Sequence, residues 1–168
     1  MKTGNWKDSA ELVGIAAIVA SLIFVGIQLR QEQRIAQVEL NQNSTAINSD
    51  IQIAISNIAD TWAKSNAGDV LTDSETLAIE RIIMAHYRMT VTDTFERRRL
   101  GGVGNTSAVF FAVWLFQNPG ARKIWQLQME EDLNQYGQIA SSVPIFGVYE
   151  EVLAYLDELE SLNSSQTE

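Results

Sequence analysis

The chain has no cysteine among its 168 residues. That excludes disulfides, thiolate metal sites and cysteine nucleophiles, and it leaves the compartment open. Proline is scarce as well, with two residues, Pro119 and Pro144. Few prolines beside many Ala, Leu, Ile, Gln and Glu predict an all-α fold. Cations are outnumbered: 12 Lys and Arg stand against 21 Asp and Glu, for a formal net charge of -9. A body this acidic is a poor partner for nucleic acid, whose phosphates call for clustered Lys and Arg. It is equally ill suited to broad adhesion on anionic lipid headgroups. His86 is the only histidine, and no sequence motif links it to a serine, so no nucleophile–base pair is identifiable.

What the chain does have is a long apolar run. Residues 12–29, LVGIAAIVASLIFVGIQL, carry no charge and only Ser21 and Gln28 as polar interruptions. A helix rises ~1.5 Å per residue, so the run reaches most of the way across a ~30 Å hydrocarbon core. This predicts a single-pass helix in the cell membrane, with the lipid bilayer as its first partner. A cleaved signal peptide fits less well, because the run exceeds a usual h-region and no small-x-small cleavage site follows it. A buried core helix is the remaining alternative. Lys2 and Lys7 on one flank balance Arg30 and Arg34 on the other, so the charges leave the side of the soluble domain unresolved. Trp6 suits an interfacial position.

The expected organisation is a flank and anchor over 1–29, a long helix or stalk over 30–66, a helical domain over 67–162 and a mobile tail over 163–168. The fold class is all-α, an N-terminal transmembrane helix continuing into a helical bundle. No glycine follows the anchor until Gly68, so the first helix can run on, with a break expected near 41–46 where Asn, Gln, Ser and Thr cluster. NAGDVLTD (66–73) reads as a loop, and Thr72 with Glu75 has capping-box spacing for a helix over 74–100. Gly101, Gly102 and Gly104 end that helix. SAVFFAVWLFQ (107–117) is apolar nearly all round and predicts a central core helix. Asn118-Pro119-Gly120 reads as a turn with positive φ available at Gly120. A helix over 121–136 follows, with Ile124, Trp125, Leu127 or Gln128, and Leu133 at core spacing. A loop over 137–147 and a last amphipathic helix over 148–162 complete the chain.

Several stretches are similar to those of a family. SLIFVGIQLRQ (21–31), Phe95-Glu96 followed by a glycine, Trp114, and NPGARKIW (118–125) resemble the landmarks of an uncharacterised family of small bacterial proteins with one N-terminal membrane helix and a helical domain. The resemblance implies a membrane-anchored helical fold. It implies no activity and transfers no catalytic residue and no cofactor.

Three constellations carry chemistry. Positions 10, 14, 17, 21, 24 and 28 form a seam of Ala, Gly, Ala, Ser, Phe and Gln, and the heptad continues through Gln31. Gly14, Ala17 and Ser21 let membrane helices approach closely, and Gln28 and Gln31 can hydrogen-bond between them. This predicts a homo-oligomeric scaffold or accessory subunit, or one that assembles with another membrane protein. The alternative use of the same seam is a small oligomeric channel. Second, His86, Asp93 and Glu96 fall at i, i+7 and i+10 near one helix face, with Glu130 and Glu131 as neighbours to recruit, and suggest a metal-dependent enzyme as another alternative. The Glu-x-x-His signature of di-metal bundles is missing, since position 83 is Ile, so no metal is expected. Third, Arg97, Arg98 and Arg99 with Arg122 and Lys123 could form a small anion or lipid-headgroup site, although helix-end charge and solvated surface explain them better.

Overall fold

The computed structural model describes residues 5–101, 106–140 and 144–165. These form six helices, with no strand among the described residues: α1 (Asn5–Asn57), α2 (Ala59–Asn66), α3 (Asp73–Arg99), α4 (Thr106–Gln117), α5 (Pro119–Ala140) and α6 (Pro144–Ser165). The chain divides into two compact units, residues 1–39 and 40–168.

The first unit holds the start of α1. Every described side chain from Ser9 to Ile35 is exposed, on all faces of the helix. Leu12, Ile18, Leu22 and Phe24 each keep 60% or more of their surface open. The helix is long and apolar enough to cross a membrane.

The second unit begins with the last part of α1, which passes through 41–46 without the expected break. Asn, Gln, Ser and Thr are tolerable in a helix when their side chains face outward or bond back one turn. Thr45 does the latter, donating from Oγ1 to the Asn41 carbonyl at 2.8 Å. The helix is interrupted instead at Ile58, where φ is -121° and ψ 31°. There α2 begins and brings Trp62 and Ser65 into the core.

Local signals set most other boundaries. Thr72 caps α3 in a reciprocal capping box with Glu75, which also pairs with Lys64 at 2.9 Å. The backbone N–H of Thr72, and then Lys64, hold the Glu75 carboxyl down at about 2. At the far end of α3, Gly101 takes φ +76°. Any side chain there is strained, so glycine is the natural stop.

Asn118-Pro119-Gly120 is not the turn that its composition predicts. Asn118 accepts the first helical bond, from the Arg122 N–H at 2.9 Å, and Pro119 opens α5 where its missing N–H costs nothing. Gly120 is not among the positive-φ residues. Its small size serves packing: a Cβ here would collide with the backbone carbonyl and Oγ of Ser65 on α2. Asn66 and Asn118 seal this approach. Asn66 Oδ1 accepts from the Gly120 N–H at 3.1 Å, and Asn118 Oδ1 accepts from Trp62 Nε1 at 3.0 Å. Alanine is the better helix former by ~1 kcal/mol, but relieving this clash means moving backbone against backbone. We expect Gly120→Ala to lower the urea-unfolding free energy by about 1–3 kcal/mol, and an unchanged midpoint would refute the close approach.

The core is built where α3, α4, α5 and α6 meet. Its largest fully buried side chains include Trp125, Tyr87, Phe111, Ile79, Ile83 and Leu115. α4 packs against α3, α5 and α6, as a central helix should. On α5 the buried stripe is Ala121, Trp125 and Met129, while Leu127 lies 58% exposed on the opposite side. The expected 137–147 loop gives way at both ends, since α5 runs to Ala140 and α6 starts at Pro144, while 141–143 lie outside the described residues. Proline fits a helix's first turn, and Phe146, Val148, Tyr149, Val152 and Leu156 give α6 a longer buried face than 148–162 alone offers. Residues 163–165 of the expected tail are helical.

Candidate functional site

A cleft of about 490 Å³ opens in the second unit, walled by three helical stripes. The last part of α1 contributes Asn41, Ser44, Thr45, Asn48 and Gln52. α3 contributes His86, Met89, Thr90, Asp93 and Arg97, and α4 contributes Thr106, Ser107, Phe110 and Trp114. Apart from one adjacent pair in each set, the spacing is three or four residues, which places the side chains on one face of their helix.

Asp93 is the knot of the site. It is buried, and its carboxylate accepts from Arg97 Nε at 2.7 Å, from Ser44 Oγ at 3.2 Å and from Ser107 Oγ. Each donor lies on a different helix, so one carboxylate ties α1, α3 and α4 together. Arg97 also donates to Asn41 Oδ1 at 2.7 Å. A buried charge is tolerable when it is paired and its oxygens are occupied, and Asp93 meets both conditions.

His86 is buried two turns earlier on the same α3 wall, with its ring edge-on to Trp114 at 4.7 Å and to Phe111 at 4.9 Å. Its Nδ1 has no hydrogen-bond partner among the described residues. Burial pulls its pKa down from 6.5 to about 4, so the imidazole is neutral at pH 7. The sign of the resulting pH dependence follows. As pH falls, the unfolded histidine takes up its proton near 6.5 while the folded one waits until about 4, so stability drains away between those values. Between pH 7 and pH 5 the loss amounts to about 2 kcal/mol. Urea midpoints for the wild type should therefore fall more steeply over this range than those for His86→Leu; parallel pH profiles would contradict a neutral buried imidazole.

The expected His86, Asp93 and Glu96 set is only partly assembled. His86 and Asp93 line the same cleft, whereas Glu96 pairs with Arg99 at 2.8 Å and does not line it. Glu130 and Glu131 are exposed. Among the described residues no three His, Asp or Glu side chains are grouped to hold a metal ion. The arginine cluster is likewise divided among partners: Arg97 with Asp93, Arg98 with Glu151 and Arg122 with Glu160. Gly14, Ala17, Ser21, Gln28 and Gln31 all lie exposed on α1. A second, smaller groove of about 380 Å³ between α3 and α5 is lined by Glu80, Arg81, Arg88 and Asp132 among others.

No family model, curated protein or solved structure matches the chain. The cleft therefore has to be read from its own residues. In the sequence part of its α1 wall lies in the Asn, Gln, Ser and Thr cluster at 41–46, whose composition suggests a break rather than a polar helix face. What the sequence withheld was convergence, because nothing in it says that this face meets Thr90, Asp93 and Arg97.

Proposed function

We propose that this is a single-pass membrane protein of the cell membrane whose helical domain serves as a homo-oligomeric scaffold or accessory subunit. One observation carries the reading. Eighteen successive residues, 12–29, form a helix whose apolar side chains are exposed on every face, and none of them is buried by the chain itself. Water is a poor solvent for such a surface, and a lipid bilayer covers it at no further cost.

Self-association is the finer part of the proposal. The Gly14, Ala17 and Ser21 stripe is open, and no atom lies within 4 Å of a Cβ built on Gly14. A second helix can come close along such a stripe, and Gln28 and Gln31 extend it with hydrogen-bonding groups. The deciding experiment is a protomer count of the intact protein in mild detergent by native mass spectrometry. A closed oligomer supports the scaffold, and a monomer overturns it. The double variant Gly14→Leu with Ser21→Leu should weaken that oligomer at least several-fold and leave membrane insertion intact. An assembly of unchanged mass would remove the stripe as the interface.

A further inference from the structure

We propose that the cleft walled by α1, α3 and α4 is a binding site for an uncharged pyranose sugar. Charge narrows the choice first. Asp93 and Arg97 are paired with each other, Asp93 also accepting from Ser44 and Ser107 and Arg97 also donating to Asn41. Neither a cation nor an anion finds an open countercharge there, and a charged ligand leaving water without one would lose its hydration for nothing.

The free polar groups then set the chemistry. Asn48 and Gln52 lie one helical turn apart on α1, both exposed, and neither side chain has a hydrogen-bond partner among the described residues. Each amide offers donors and an acceptor together, which an alcohol hydroxyl can use in full. His86 borders the same cleft with a neutral imidazole, whose Nδ1 is closed off from solvent. A buried nitrogen without a partner among the described residues, as its Nδ1 is, runs against the usual rule for protein interiors.

Phe110 supplies the apolar half. It belongs to the most apolar of the domain's helices, yet it is 69% exposed at the cleft, while Phe111 beside it is completely buried. A flat aromatic face lining the same cleft as free amides suits the C–H face of a pyranose, with dispersion and burial on one side and hydroxyl contacts on the other. The cleft volume lies within the ~300–1,000 Å³ usual for small-ligand sites.

The test is calorimetric titration of the full chain, held in a detergent without a sugar headgroup. The probes are glucose, N-acetylglucosamine and adenosine. We expect saturable binding of a sugar probe, weakened at least tenfold by Phe110→Ala and by Asn48→Ala with Gln52→Ala. All three positions are exposed, so helix content should be unchanged, which far-ultraviolet circular dichroism checks on the same samples. Failure of both sugars to saturate by about 50 mM overturns the proposal. So does sugar binding that both variants retain at full strength, or adenosine binding more tightly than either sugar.

Discussion

Val19→Arg together with Ile23→Arg should move the protein out of the carbonate-washed membrane fraction and into the supernatant. Both side chains lie near the middle of the apolar run, one helical turn apart, and both are exposed. An arginine at the centre of a membrane helix costs about 2.5–3.5 kcal/mol on insertion scales, so the pair costs about 5–7 kcal/mol. Against an 18-residue run near the lower limit for spanning, that penalty decides the outcome. The same two arginines cost almost nothing in a water-exposed helix, because arginine is a good helix former. The readout therefore separates a bilayer anchor from a helix that lives in water. Persistence of the double variant in washed membranes would show that residues 12–29 are not the anchor.

The second large effect belongs to the core. Trp125→Ala should lower the unfolding free energy of the full chain in mild detergent by about 3–5 kcal/mol, the range for truncating a buried aromatic. Trp125 is completely buried and packs against Tyr149 at 5.1 Å, Tyr87 at 5.5 Å and Phe111 at 5.7 Å, so its loss leaves a cavity touching three helices. Trp125→Phe should cost far less, below about 1.5 kcal/mol, for two reasons. A phenyl ring keeps much of the packing, and the indole Nε1 that it removes is buried without a partner among the described residues. If Trp125→Ala shifted the unfolding free energy by less than about 1 kcal/mol, Trp125 would not be a keystone of this core.

The contrast between what was legible in the chain and what was not follows physical lines. Thr72 with Glu75 and Gly101 act within a few residues of themselves, and each marks its boundary where the sequence places it. The α4 run is apolar enough to find the centre of any bundle. Gly120 is different. Its composition suggests a turn, but its role comes from Ser65, 55 positions earlier, and no local pattern carries that information. Phe110 and Phe111 make the same point, being chemically alike and adjacent, one exposed and the other buried. Periodicity predicts that a helix has an inner face, and neighbours decide which residue at its edge is covered. The 137–147 stretch failed for a further reason: Gly137 and Pro144 are loop formers on average, and a proline at a helix start is no obstacle. The candidate site was the least legible part. Its polar residues were visible singly, and only the packing of α1, α3 and α4 makes Asp93 the acceptor for three separate helices.

The aromatic cluster gives the domain an optical signature of its own. Trp62 and Trp114 stand 5.7 Å apart with their planes tilted by 46°. Trp114 reaches Phe111 at 5.8 Å, and Phe111 reaches Trp125 at 5.7 Å. Indoles held so near one another couple their electronic transitions, which produces near-ultraviolet ellipticity only while the rings keep fixed relative angles. Excitation also migrates among them, so steady-state emission from the three is a property of the packed ensemble. Trp6, 70% exposed on α1, stands outside this group and emits according to its own solvent or lipid surroundings. A single unlabelled sample thus carries two reporters, one for the integrity of the bundle and one for the environment of the N-terminal helix.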